Sequence, residues 1–115
     1  MLEELNRINM LFDIYASLLT DRQKEVLQLY FSDNYSLGEI AGEYKVSRQA
    51  IYDLIQRALN TLEKLETKLG LYQLFNLQQQ LLTAADAILS TGCPSQDRLN
   101  LLRAIINDLR QSIEQ

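Results

Sequence analysis

The sequence predicts an all-α protein: a helix-turn-helix domain followed by a long helix and a C-terminal helical hairpin, joined as a dimer. Three observations carry that prediction. Apolar residues recur at three- and four-residue steps through successive segments, helix-capping patterns stand at Thr20, Ser36 and Ser47, and only one proline and four glycines interrupt 115 residues. A chain of this length holds one globular domain, or a small domain with a helical extension.

The first element covers residues 2–19, where Leu5, Ile8, Phe12, Tyr15 and Leu19 form one helical stripe. Thr20-Asp21-Arg22-Gln23 is a capping box that opens a second helix, with Val26, Leu27, Tyr30 and Phe31 on its apolar face. After the polar break Ser32-Asp33-Asn34-Tyr35, a second capping box, Ser36-Leu37-Gly38-Glu39, starts a short third helix with Leu37, Ile40 and Ala41 inward. Tyr44-Lys45-Val46 makes the tight connection, and Ser47 caps a long fourth helix. In that helix Ile51, Ile55, Ala58, Leu62, Leu65 and Leu69 step 4-3-4-3-4, the spacing of a coiled-coil seam, until Gly70 ends it. Its early half serves the compact domain and its late half is expected to project.

Beyond Gly70 the chain is rich in Leu and Gln as far as Leu82 and reads as helix to about residue 89. Ser90-Thr91-Gly92-Cys93-Pro94-Ser95 holds the only proline and turns the chain back. A last helix sets Leu99, Leu102, Ile106, Leu109 and Ile113 on one seam. The predicted domains are therefore 1–69, the helix-turn-helix with its N-terminal helix and long connector, and 70–115, the hairpin. A hairpin alone cannot bury such stripes, so Leu62, Leu65, Leu69, Leu99, Leu102, Ile106 and Leu109 are expected to pack or to join two copies in a homodimer.

Composition removes most chemistry. With no histidine and a lone Cys93, the chain cannot assemble a zinc site, a Ser-His-Asp triad or a Cys-His dyad, and its carboxylates fall at surface-helix spacings. No catalytic residue, metal or cofactor is expected, and the protein is not expected to be an enzyme. Cys93 has no adjacent cation to lower its pKa and reads as an unreactive loop thiol. The start, Met1-Leu2-Glu3-Glu4-Leu5, is acidic where a signal peptide is basic, and no run approaches the ~20 apolar residues of a membrane span. The expected location is cytoplasmic, without membrane insertion.

In a helix-turn-helix the second helix puts its N-terminal side chains into the DNA major groove. Here those are Ser47, Arg48, Gln49, Tyr52 and Gln56. Arg48 suits guanine and Gln49 adenine, each by a bidentate pair, while Lys45 and the Ser47 backbone suit phosphate. Arg57 stands four residues beyond Asp53, which makes an i,i+4 bridge the expectation and phosphate contact the alternative. Tyr30, Phe31, Tyr35 and Tyr44 are expected in the core rather than as a stack for RNA bases.

Leu19-Thr20, Arg22-Gln23-Lys24-Glu25-Val26-Leu27, Ser36-Leu37, Glu39-Ile40-Ala41, Val46-Ser47-Arg48-Gln49-Ala50-Ile51 and Arg57-Ala58-Leu59 resemble the fourth region of bacterial sigma factors, a helix-turn-helix that reads a promoter element. Over its whole length the chain more closely resembles the YlxM family of Gram-positive bacteria. The blocks that carry this are Asn9-Met10-Leu11-Phe12-Asp13, Ser36-Leu37-Gly38-Glu39-Ile40-Ala41 and Val46-Ser47-Arg48-Gln49-Ala50-Ile51-Tyr52-Asp53. Members are encoded beside the signal recognition particle (SRP) GTPase. The resemblance therefore implies a regulatory or accessory role in that pathway, with the SRP GTPase or SRP RNA as partner.

Two features of charge set this chain apart from sigma factors. Where sigma supplies Arg-Glu-Arg-Ile-Arg-Gln, this chain has Arg48-Gln49-Ala50-Ile51-Tyr52-Asp53, so two arginines are replaced and a carboxylate appears. Residues 36–60 then balance Lys45, Arg48 and Arg57 against Glu39, Glu43 and Asp53, on a chain of net charge -4. A single copy should hold DNA weakly, and dimerisation would offset this by presenting two half-sites together. The alternative is an adaptor that does not bind DNA and meets SRP components through the same domain.

Overall fold

The computed structural model describes residues 2–90 and 95–114, with side chains to 112. The described chain is helical throughout: α1 (Leu2–Tyr15), α2 (Asp21–Leu27), α3 (Leu37–Tyr44), α4 (Arg48–Leu69), α5 (Leu71–Leu89) and α6 (Gln96–Glu114). It divides into two compact units, Met1–Gly70 and Leu71–Gln115. No described helix is long and apolar enough to cross a membrane.

In the first unit the local signals act as written. Thr20 Oγ1 accepts the Gln23 N–H at 3.1 Å while Gln23 Oε1 accepts the Thr20 N–H at 3.1 Å. Ser36 and Glu39 repeat this reciprocal box at 3.1 and 3.2 Å. Ser47 Oγ accepts the Ala50 N–H at 3.0 Å, and Gly70 ends α4 in the left-handed conformation at φ 63°. Each cap satisfies backbone groups that a helix end leaves without a partner.

Two boundaries differ from the sequence reading. The α-helical part of the first element stops at Tyr15, and Ala16–Leu18 tighten into a 3-10 turn before extended Leu19. Beyond Leu27 the chain widens into a π-helical turn, Gln28–Ser32, closed by the Asp33 N–H on the Gln28 carbonyl at 3.0 Å. The wider turn changes the phase of the side chains. Val26 and Leu27 are fully buried, whereas Phe31 is half-buried and Tyr30 exposed, with their rings edge to face at 5.0 Å.

α4 packs against α1, α2 and α3. The core is Leu11, Tyr15 and Leu19, Val26 and Leu27, Ile40 and Ala41, and Ile51, Ile55, Ala58 and Leu62 from α4. The late half of α4 therefore does not project as expected. Leu62, assigned to the seam, is 1% exposed beneath α1, Leu65 is half-buried, and Leu69 stands out at 53%. The cause is α1, whose Arg7 donates both Nε and Nη2 to Glu63, at 2.9 and 2.8 Å. Tyr15, fully buried, donates its hydroxyl to Glu66.

In the second unit α5 and α6 pack on one another, and Ser95 Oγ accepts the Arg98 N–H at 3.3 Å to start α6. Ile105, at 7% exposure, turns inward between half-buried Leu102 and Leu109. The predicted seam had Ile106 in that place, yet Ile106 is 48% exposed and Leu99 is exposed as well. Ile105 and Ile106 both fit three- and four-residue steps between Leu102 and Leu109, and the packing of α6 on α5 is what turns Ile105 inward. The predicted turn at 91–94 with Cys93, and the side chain of Ile113, lie outside the described residues.

Candidate nucleic-acid interface

The interface is built on α3, the turn Lys45-Val46-Ser47 and the first two turns of α4. α3 ends because Lys45 takes the left-handed conformation at φ 56°, and the Ala41 carbonyl accepts N–H groups from both Lys45 and Val46. This paired bond over a left-handed residue closes the helix and aims the chain into the next one. Ile40 and Ala41 fix α3 to the core, and Ile51 and Ile55 fix α4.

Tyr44 fastens the end of α3 to α2. Its hydroxyl donates to Glu25 Oε2 at 2.7 Å, and the Arg22 guanidinium lies 4.9 Å over its ring. The hydrogen bond to the Glu25 carboxylate, helped by partial burial, raises the Tyr44 phenol above its ordinary range. Tyr44 is thus held half-buried between α2 and α3, outside the buried core in which the sequence reading placed it.

The predicted readers Ser47, Arg48, Gln49, Tyr52 and Gln56 are all exposed and share the outer side of α4's first turns, with Lys45 exposed beside them. Tyr52, at 47%, is among the most exposed aromatic surfaces of the unit. The first turn of α4 carries Arg48 and no acid, so the guanidinium and the positive end of the helix dipole add there. Ser47 uses its hydroxyl as the cap.

Two of these side chains are already engaged. The Arg48 guanidinium lies over the first turn of α3, so close that a β-carbon built on Gly38 would stand 3.0 Å from its Nε and 3.1 Å from its Nη2. The absence of a side chain at 38 makes that position available. Gln49 Nε2 donates to Asp53 Oδ1 at 3.0 Å. Asp53 therefore pairs back to Gln49 and forms no ion pair with Arg57, against the expected bridge. Arg57 lies with Asp53 in a shallow groove bounded by Thr20, Arg22, Gln23, Ala50 and Leu54. The sequence did not single out the Gln-Asp pair, because Asp53 has an i,i+4 neighbour on each side and spacing alone does not choose between them. The Arg48–Gly38 approach had no sequence signal, since it joins two helices. Among the described residues no group of three or more acidic or cysteine side chains could hold a metal.

Comparison with known proteins gives the same architecture a family. Residues 2–102 match the profile of UPF0122, described as "Putative helix-turn-helix protein, YlxM / p13 like". A UPF0122 protein of Listeria monocytogenes is 50% identical over 90 residues, which is 78% of this chain and 82% of that one. A UPF0122 protein of Exiguobacterium is 53% identical over 81 residues, 70% of this chain and 76% of its own. A third, from Pediococcus pentosaceus, is 41% identical over 114 residues and covers 99% of this chain and 98% of the relative. The chain belongs to the UPF0122 family of YlxM/p13-like helix-turn-helix proteins.

Proposed function

We propose that the protein is a cytoplasmic regulator that binds DNA through α3 and α4, works as a homodimer, and takes part in the SRP pathway without catalysis of its own. The observation that carries the DNA assignment is the solvent-facing start of α4. Arg48, Gln49, Tyr52 and Gln56 stand exposed there on a capped helix whose first turn lacks any acid. In this frame Arg48 and Gln49 meet base edges, Lys45 meets phosphate, and Arg57, unpaired with Asp53, is available as a second phosphate contact. The dimer is supported by the hairpin, where α5 buries none of its residues and Phe75, Leu82, Leu99 and Ile106 are exposed. Leu69 adds to these at the end of α4. The SRP part rests on the sequence resemblance.

A second reading has one observation of its own. The motif has no net charge, and Asp53 stands inside the reading face, which suits an adaptor that meets the SRP GTPase or SRP RNA without holding DNA.

A salt titration decides between them, using the DNA upstream of its own gene, unrelated DNA, and SRP RNA with and without its GTPase. Retention of the upstream DNA above unrelated DNA at physiological salt, with a measurable salt slope, is the expected result. Loss of both DNAs near ~100 mM salt with the particle components retained would establish the adaptor instead.

A further inference from the structure

We infer that Arg22 and Arg57, brought to one groove from α2 and α4, form a seat for the phosphate backbone of duplex DNA beside the reading face. This rests on the DNA-binding reading above and adds to it the path of one strand and a contact from outside the helix-turn-helix, Arg22.

The groove lies where α4 meets the start of α2. Thr20, Arg22 and Gln23 form one wall, and Ala50, Asp53, Leu54 and Arg57 form the other. Ala50 and Asp53 are exposed and belong to the same first turns of α4 as Gln49 and Tyr52, so the groove borders the reading face. A helix seated in the major groove has a phosphate strand on each flank. Lys45 stands at the turn from α3, and the groove supplies cations on the flank toward α2.

Both arginines can reach a ligand. Arg57 is exposed, and among the described residues its guanidinium has no partner. Arg22 is exposed too, with its guanidinium 4.9 Å over the Tyr44 ring. Stacking engages the flat face of a guanidinium and leaves its in-plane N–H donors, which pair with phosphate oxygens two at a time. The ring also restrains the side chain, so less rotamer freedom is lost when a phosphate binds.

Charge selects this groove over its neighbour. Two guanidinium groups line it against one carboxylate, Asp53, whose Oδ1 already accepts from Gln49. The groove between the end of α2 and α3 is bounded by Glu25, Asp33 and Glu43 without a cation, and it repels a phosphate strand. The neutral balance of residues 36–60 leaves out Arg22, which the fold returns to the motif.

The test uses the full chain as wild type, Arg22→Gln, Arg57→Gln, Arg57→Lys and Lys64→Gln, the last removing an exposed cation further along α4. Each is titrated with salt against the upstream DNA and unrelated DNA, and thermal melts confirm that it folds. Each phosphate neutralised adds about 0.9 to the steepness with which log affinity falls against log salt. Arg22→Gln and Arg57→Gln should each make the slope shallower by about 0.9 and weaken both DNAs by the same factor, keeping the preference for the upstream DNA. Arg57→Lys, which retains the charge, and Lys64→Gln, outside the groove, should keep the wild-type slope. A wild-type slope in either glutamine variant of the groove would overturn the inference while leaving DNA binding in place. So would an equal change in Lys64→Gln, which marks bulk charge, or in Arg57→Lys, which marks a structural effect. Loss of the upstream preference in place of a uniform weakening would also overturn it, since that marks a base contact. Failure of wild type to retain any DNA at physiological salt would overturn the DNA reading and this inference with it.

Discussion

The Tyr15 hydroxyl donates to Glu66 Oε1 at 2.7 Å, joining the last residue of α1 to the late half of α4 across 51 positions of sequence. Tyr15 is fully buried and reaches a half-buried carboxylate, so the bond is shielded on one side. With Arg7 on Glu63 and Leu11 near Leu62, it makes α1 the clamp of α4. The early half of α4 is then held by α2 and α3, and its exposed first turns are presented from a fixed rod.

The clamp is mainly apolar in energy. Leu62→Ala should lower unfolding free energy by about 2–5 kcal/mol, the range for a large-to-small change in a packed core. Urea denaturation followed by circular dichroism measures it. Leu69→Ala, at an exposed site, should stay within about 0.5 kcal/mol in the same assay if the chain is kept monomeric by dilution.

The Arg7–Glu63 pair gives stability a dependence on pH. The Arg7 hydrogen bond, more than burial, sets the balance and lowers the Glu63 pKa below its ordinary value. A carboxyl lowered by folding contributes stability that is complete above its unfolded pKa and is lost as pH falls through the lowered one. The loss should therefore run through and below the ordinary carboxylate range. Both side chains are about half exposed, so a double-mutant cycle with Arg7→Gln and Glu63→Gln should give a coupling of about 0.2–1 kcal/mol at neutral pH. The coupling should shrink in acid and in high salt.

Two glycines should respond in opposite directions. A β-carbon on Gly42 would meet nothing within 4 Å, inside α3, so Gly42→Ala should raise stability by about 0.5–1 kcal/mol. Gly70 sits at φ 63°, where an alanine pays about 1 kcal/mol in steric strain, so Gly70→Ala should lower stability by a similar amount. Thermal melts of the two variants beside wild type are sufficient.

Gly38→Ala separates folding from reading. The new methyl would crowd the Arg48 guanidinium at 3.0 to 3.2 Å, and the end of a flexible side chain gives way readily. The melting temperature should hold or rise slightly, because alanine is the better helix former. DNA retention should fall several-fold if Arg48 meets DNA from its seat on α3. Arg48→Ala should abolish sequence-selective retention and, on the adaptor reading, leave SRP binding unchanged.

Much of the fold was legible because its signals are local. Thr20 with Gln23, Ser36 with Glu39, and Ser47 with the Ala50 N–H each satisfy a helix end within three residues, so the pattern of letters is already the hydrogen bond. The exposed start of α4 followed from the same caps and from the apolar spacing of Ile51, Ile55 and Ala58. The π-helical turn after Leu27 was not legible, since it depends on how the following residues pack.

The sequence by itself determined the helices, the capped starts at Thr20, Ser36 and Ser47, the stop at Gly70, and which side of α4 is apolar, because these depend on groups three or four residues apart. The tertiary structure decided what crosses between elements: Leu62 under α1, Ile105 rather than Ile106 inward in the hairpin, and Arg48 laid over Gly38. It also chose Gln49 over Arg57 as the partner of Asp53. Spacing limits which groups can meet, but several pairings satisfy it equally, and only the packing of one helix on another and the resulting side-chain directions select among them.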